Sequence, residues 1–353
     1  MLRATLALLL VSTIVHAKPK PKVTWYLVAL SADGARALIK ESVVPEGDDL
    51  HYRIIALATG KTEVDGAFPA LAKLPPITFE PHAAPAAAPV DSAELAADLR
   101  AAGKLLAGFP LAASDRVSAR AGAATFGVAE DVYAAHDGAV GKRVGTALSS
   151  WLLPDGTIVL RTGTDLALVD GQPIANTHGV GPAFVLAATG AVRFLTADKT
   201  AHQICVAELA TAKPYAATKR ACLPADEHEL LVGGQLSPHG TWAAITTQTV
   251  HGADPWHVRV LDVEHGKVVF DTAHIVTPTA VSDDGLVVVS NFKDTVVIDP
   301  RTKAVDRLAK AIPPFTARFR SPTELVIVTD DGSVSVVKPA TWKHAPWTDP
   351  LLH

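Results

Sequence analysis

Cys205 and Cys222 are the two cysteines of the chain. Each stands in a short apolar run, Ile204-Cys-Val-Ala-Glu-Leu and Arg220-Ala-Cys-Leu. The midpoint between them falls at Lys213-Pro214, a pair suited to a turn. The two cysteines are then expected opposite each other across one hairpin. Directly opposed residues of a non-hydrogen-bonded pair have Cα atoms about 4.5 Å apart, within disulfide range. The spacing is not the Cys-x-x-Cys of a redox pair, so the chemistry expected is a structural disulfide. Closing a loop of this size stabilises by roughly 3 kcal/mol in the chain-entropy model.

The fourteen histidines are scattered, with no His-Glu-x-x-His and no His-x-His. One cluster stands out, His251-Gly-Ala-Asp254-Pro-Trp256-His257. His51, close behind Glu46, Asp48 and Asp49, and His202, close behind Asp198 and Lys199, stand in comparable places. Acids, imidazoles and an indole on one face would make a ligand face for a cation or a polar molecule. No spacing here fixes a coordination geometry, and polar loop residues on a solvated surface account for the same pattern. Asp283-Asp284-Gly285 and Asp330-Asp331-Gly332 lack the further acids of a calcium loop and read as turns. There is no Gly-x-Ser-x-Gly and no P-loop. No catalytic residue and no metal ligand is assigned.

Composition narrows the classes that such residues can serve. Of 353 residues, 48% are hydrophobic and 19% charged, with 32 Lys plus Arg against 36 Asp plus Glu. That is too apolar and too weakly charged for a disordered chain. The slightly acidic balance lacks the basic excess of a nucleic-acid binder. Two cysteines make neither a disulfide-dense miniprotein nor a four-cysteine zinc site.

The chain opens Met-Leu-Arg3 and continues through an apolar run from Leu6 to Val15 to Val15-His16-Ala17. A basic start, a short apolar stretch and a small-x-small end make a secretory signal peptide over 1–17. The apolar run is shorter than the ~20 residues of a membrane-spanning helix, and no later stretch is long enough either. Lys18 to Val23, with alternating Lys and Pro, reads as a spacer over 18–23. The expected product is exported, periplasmic or extracellular and of bacterial type, with no integral membrane span after cleavage. A disulfide persists in such a compartment.

The elements that must position these residues come from internal repetition. An apolar run, a turn with Asp, Gly or Pro and a second apolar run recur. The turns end at Gly34, Gly156, Gly190, Gly240 and Gly285, with a degenerate copy at Glu324. Such residues supply the positive or preset φ that hairpin turns require. Second hairpins follow, as in Tyr52-Arg-Ile-Ile-Ala-Leu-Ala-Thr-Gly-Lys-Thr62 and His257 to Phe270. Two hairpins make a four-stranded antiparallel meander. From Gly156 onward the turns stand 34, 50, 45 and 39 residues apart, the period of β-propeller blades. The segment 64–112 does not fit. It is rich in Ala and Pro and then reads as one amphipathic helix over about 92–107, with Asp91 and Glu94 as a capping box. The fold class expected is all-β, a β-propeller of about seven four-stranded blades with this inserted helix. Six blades plus an irregular insert is the alternative. The first blade spans 24–63 and the remaining blades 113–353.

The motifs Leu30-Ser-Ala-Asp-Gly34, Leu236-Ser-Pro-His-Gly240 and Val281-Ser-Asp-Asp-Gly285 resemble those of bacterial WD40-like and YVTN-type propeller repeat proteins. The turns Leu57-Ala-Thr-Gly-Lys61 and Asp262-Val-Glu-His-Gly-Lys267 add to the likeness, which covers about 24–63 and 148–345. It implies the fold and is nearly silent on function. No Trp-Asp dipeptide closes a blade. Gly60-Lys61 and Gly266-Lys267 are not followed by the Trp of quinoprotein propellers, so no quinone or other cofactor is expected.

In a propeller the loops between second and third strands gather on one face, around the channel mouth. His51, Asp198, His202, His251, Asp254, Trp256 and His257 are the candidate ligand face there. The functional expectation is a non-catalytic binding or scaffold module for a protein or cell-envelope component. The alternative is an enzyme of hydrolase or lyase type, or a small-ligand or metal binder, using the loops at the channel mouth. The leader makes the first prediction. Chain recovered from the exported fraction begins at Lys18 on N-terminal sequencing, and a sequence beginning Met-Leu-Arg there overturns the export reading.

Overall fold

The computed structural model describes residues 22–44 and 51–68, isolated positions between 93 and 109, and most of 112–338 together with 345–346. Side chains of 111–150 are not among those described. Within this range the chain forms seven antiparallel sheets in sequence order, each a meander of strands adjacent in the chain. They are called blades here, from blade 1 (22–67) through blade 2 (112–146), blade 3 (149–168), blade 4 (180–224), blade 5 (229–272) and blade 6 (277–307) to blade 7 (315–337). Blades 1, 4 and 5 have the four strands expected. Blade 2 has five, and blades 3 and 7 have three. The helix expected at 92–107 lies largely outside the described residues; positions 93, 94, 97, 98, 101 and 105 have helical backbone.

The first strands of successive blades pack on one another from blade 4 through 5, 6 and 7 to blade 1, and on to blades 2 and 3. Among the described residues each first strand pairs with one strand only, its own second strand. The other edges face the axis of the ring. This is the β-propeller arrangement.

Blades 4 to 7 are apolar on both faces. In blade 5, Ala243, Ile245 and Leu261 pack on Leu195, Val206 and Leu223 of blade 4. The alternate residues Trp242, Ala244 and Val260 pack on Val281, Val287 and Ile298 of blade 6. Blade 6 then meets Ala317, Phe319 and Leu325 of blade 7 through Ala280, Val288 and Val297. Successive side chains of a strand point to opposite faces. Runs such as Trp242-Ala-Ala-Ile245 and Leu286-Val-Val-Val289 therefore serve two seams at once.

The first-to-second-strand turns share one device. Ser31, Ser237 and Ser282 are each buried. Their hydroxyls accept from the N–H of Arg36 (2.9 Å), Trp242 (3.1 Å) and Leu286 (2.9 Å) at the start of the second strand. Each serine carbonyl also accepts from the turn glycine, Gly34, Gly240 or Gly285. All three glycines have positive φ, which side-chain-bearing residues rarely adopt. The repeat recognised in the sequence is thus a hydrogen-bonding unit.

Among the described residues the C-terminal segment does not pair with the N-terminal strand. Ala345–Pro346 pairs instead with the fourth strand of blade 6, Ala304 opposite Pro346 and Val305 opposite Ala345. Blades 7 and 1 meet directly. Trp25, Leu27 and Ile39 pack on Val326 and Val328, and the Leu27 N–H donates to Thr316 Oγ1 at 2.6 Å. The turn device generates a prediction. Ser237→Ala leaves the buried Trp242 N–H without its acceptor and lowers stability by about 1–3 kcal/mol in urea unfolding. An unchanged midpoint overturns the role given to the serine.

Candidate functional site

Strand direction alternates along a meander, so the turns between second and third strands share one face with the links between blades. The turns between first and second, and between third and fourth, share the other. His51 opens the third strand of blade 1 on the former face. Its Nδ1 lies 2.5 Å from Glu41 Oε2, and its Nε2 contacts Asp65 Oδ1. Arg53 Nε donates to Asp65 Oδ2 at 2.9 Å, and its guanidinium lies over Trp25, 4.2 Å from the ring centroid. Trp25 meets the His51 ring edge-on at 5.1 Å. The pleat creates this array: Glu41, His51, Arg53 and Asp65 share the blade face that carries Ile39 and Ile55. The hydrogen bond from His51, and then that from Arg53, hold the Asp65 carboxyl below its ordinary range.

The other candidates occupy blades 4 and 5. Asp198 ends the second strand of blade 4 and accepts from Lys219 Nζ at 2.7 Å. That bond, with one from the Ala201 N–H, pulls its pKa down. His202 sits in the following turn at φ 51°, exposed, with its carbonyl accepting from the Ala225 N–H. Trp256 and His257 open the third strand of blade 5. His257 Nδ1 lies 3.3 Å from Asp271 Oδ1, and Trp256 is registered opposite Gln248. His251 and Asp254 lie outside the described residues. The described candidates therefore share a face of the ring but stand in three blades. The polar contacts described for His51, Asp198 and His257 lie within their own blades. Among the described residues no three His, Cys, Asp or Glu converge as a metal site, and no helix is long and apolar enough to cross a membrane.

The disulfide joins the third and fourth strands of blade 4. Cys205 and Cys222 are registered directly opposite, with Cα atoms 4.0 Å apart and the sulfurs bonded. Cys205 is fully buried.

Three polar nodes were not foreseen in the sequence. Asp283, read there as turn chemistry, accepts from the backbone N–H of His239 at 2.9 Å and lies 2.8 Å from His239 Nδ1, tying blade 6 to blade 5. Arg193 spans from Glu208 of its own blade to Glu264 and the Gly240 carbonyl of blade 5. Arg259 bonds Glu229 and Thr247 within blade 5 and donates to the Pro224 carbonyl of blade 4 at 2.8 Å. Burial pushes the Arg259 pKa down. Each node joins residues far apart in the chain, and no local motif marks such a pair.

No family model and no curated protein sequence matches the chain. Solved structures do. Hsv2 of Kluyveromyces lactis aligns over 92% of this chain and 99% of its own, with 13% identity and a TM-score of 0.51. KlHsv2 with loop 6CD replaced by a Gly-Ser linker aligns over the same shares, with 13% identity and a TM-score of 0.50. The C-terminal WD40 domain of Sif2 aligns over 91% of this chain and 82% of its own, with 11% identity and a TM-score of 0.46. At such identity the likeness to the two Hsv2 structures is one of fold, and it agrees with the ring of antiparallel blades.

Asp65 generates a prediction with a definite sign. A carboxyl whose pKa is depressed on folding contributes stability above its unfolded value near 3.8, and loses it as pH falls through the folded value. The stability gap between the wild type and Asp65→Asn in urea is therefore present at pH 7 and closes below about pH 4. A gap that is constant across this range overturns the assignment.

Proposed function

We propose that the chain is an exported, non-catalytic β-propeller that binds another protein or a cell-envelope component on the face of its second-to-third-strand turns. One observation carries the reading: on this face His51, Arg53 and two carboxylates are ordered against one another, His51 on Glu41 and Asp65, and Arg53 on Asp65. Asp198 with Lys219 and His257 with Asp271 are likewise paired inside single blades on this face. Side chains paired within one blade can be exchanged without unlocking the ring, so they are free to carry recognition.

The Trp25–Arg53–His51–Glu41–Asp65 array adds chemistry suited to a partner. Arg53, stacked on the buried Trp25, is a side-chain type enriched in protein interfaces. Its ordering before binding lowers the entropic cost of association. Asp65 presents its carboxylate at the rim, being 49% exposed.

The test is capture from a cell-envelope extract with the tagged mature chain as bait. A variant with His251, Asp254, Trp256 and His257 changed to Ala, and a variant with Arg53→Ala, are run alongside. His265→Ala, on the opposite face, is the control. The expected outcome is one component retained in stoichiometric amount by the wild type and the control and lost from at least one face variant. Retention by all four baits, or by none, overturns the proposed face.

A further inference from the structure

His51 opens the third strand of blade 1 with a carboxylate oxygen at each of its ring nitrogens. Nδ1 lies 2.5 Å from Glu41 Oε2 of the second strand, and Nε2 contacts Asp65 Oδ1 of the fourth. An ionised carboxylate only accepts hydrogen bonds, and a neutral imidazole has a single N–H to give. Both contacts are therefore satisfied together only while one proton sits between the ring and each carboxylate. Asp65 is held below the ordinary carboxylate range and stays ionised.

The other charges near the ring are placed as follows. Arg53, on the same strand, donates to Asp65 Oδ2 and stacks on Trp25 of the first strand. Lys40 leaves the second strand on the opposite face, toward the Tyr26 and Tyr52 rings. Lys61 and Glu63 stand toward the far end of the fourth strand, where Lys61 is registered opposite Ala56. Across the seam with blade 7, Asp330 pairs with Lys22, and Asp331 is bonded to Thr329 and Ser333 of its own turn. Glu46, Asp48 and Asp49 precede His51 in the chain and lie outside the described residues.

The two carboxylates on the ring are not equivalent. The Glu41 side chain is 14% exposed, and His51 is the polar partner described for it. Asp65 is 49% exposed and keeps Arg53. Leaving the more buried carboxylate without a donor costs more free energy. When the ring gives up one proton, the remaining one therefore stays on Nδ1, toward Glu41. The bare Nε2 then faces Asp65 Oδ1 lone pair to lone pair, and Asp65 moves off with Arg53.

We propose that this rim of blade 1 is a proton-operated switch: doubly protonated His51 holds Asp65 and Arg53 against Trp25, and loss of the Nε2 proton releases them. In the closed array the charges of His51 and Arg53 balance those of Glu41 and Asp65. Once open, it carries a net negative charge. The switch is a property of the chain alone and does not rest on the partner reading above, so its test is read without any partner.

The test is heteronuclear NMR of the mature chain with isotope-labelled histidine, the His51 signals being identified by their loss in His51→Gln. Spectra at about pH 5 and about pH 9 bracket the ordinary range of a histidine. At the lower pH both ring nitrogens are expected to be protonated. At the higher pH the proton is expected on Nδ1, the reverse of the Nε2 form that a free imidazole favours. The Arg53 Cδ protons, shifted upfield by the Trp25 ring at the lower pH, are expected to lose part of that shift at the higher. Glu41→Ala removes the Nδ1 acceptor, so the proton is expected on Nε2 at the higher pH, with Arg53 still over Trp25. Asp65→Asn, whose amide can donate to a bare Nε2, is expected to abolish the pH dependence of the Arg53 shift. An Nε2-protonated ring at the higher pH in the wild type, or two protonated nitrogens at both, overturns the proposal. So does protonation of Nε2 alone at the lower pH, which places the second proton on Glu41, or an Arg53 shift that does not change with pH.

Discussion

Blades 4 to 7 of this protein must each be covered on both faces. A sheet with one apolar face can lie against a single neighbour and present the other side to water. Blade 5 cannot, because Ile245 and Trp242 leave the same strand in opposite directions and both are buried. Burying a side chain of this size contributes about 1.5–3 kcal/mol, and each seam contains several. An end blade in an open stack would forfeit a whole seam, so the sheets close into a ring. Closure also sets where polar groups can go. The seams exclude unpaired charges, so ionised side chains gather at the blade margins and along the axis.

The seam between blades 7 and 1 bears the closure, and it is made of more than apolar packing. Trp25 N donates to the Asp330 carbonyl, and Lys22 pairs with the Asp330 carboxylate at 3.3 Å. Gly332, at φ +83°, lies under the Trp25 indole, where an added Cβ would come within 3.0 Å of the ring. A ring closed by strand exchange would hold its ends through a shared sheet. Here, among the described residues, the N-terminal strand belongs wholly to blade 1, and the last strand extends blade 6. The turn Thr329-Asp-Asp-Gly-Ser333 therefore serves as the latch. Its Asp331 caps the turn through Thr329 Oγ1 and the Ser333 N–H, which leaves Asp330 free to reach blade 1.

What the sequence made legible is local. The Ser-x-x-Gly turns could be read because serine, glycine and the strand they cap lie within six residues. The Cys205–Cys222 pairing could be read because a hairpin is symmetric about its turn. Strand number was less legible. The five strands of blade 2 come from short, weakly apolar runs such as Val117–Arg120 and Arg143–Thr146, whose periodicity is too brief to count. The destination of the C-terminal segment could not be read, since Ala345–Pro346 has no pattern that prefers one sheet edge to another. The candidate face was legible as a set of turns, but not as partners. Glu41 lies in an unremarkable strand, and only the register brings it to His51.

The turn device also sets ties between blades. A buried serine ties the first-to-second turn tightly to its own sheet, as Ser282 does for Leu286. Such a turn holds its acidic neighbours at fixed positions beside the next blade, which is how Asp283 reaches His239. At the other end the strands flanking 45–50 and 250–255, stretches outside the described residues, are in register. Their flanking side chains find partners across strands of the same sheet, where Cβ atoms lie about 5 Å apart. Exchanging those in-blade pairs leaves the serine turns intact, whereas the turn of blade 7 at the same end latches the ring to blade 1. The fold thereby confines what holds the ring to the seams, the serine turns and this latch.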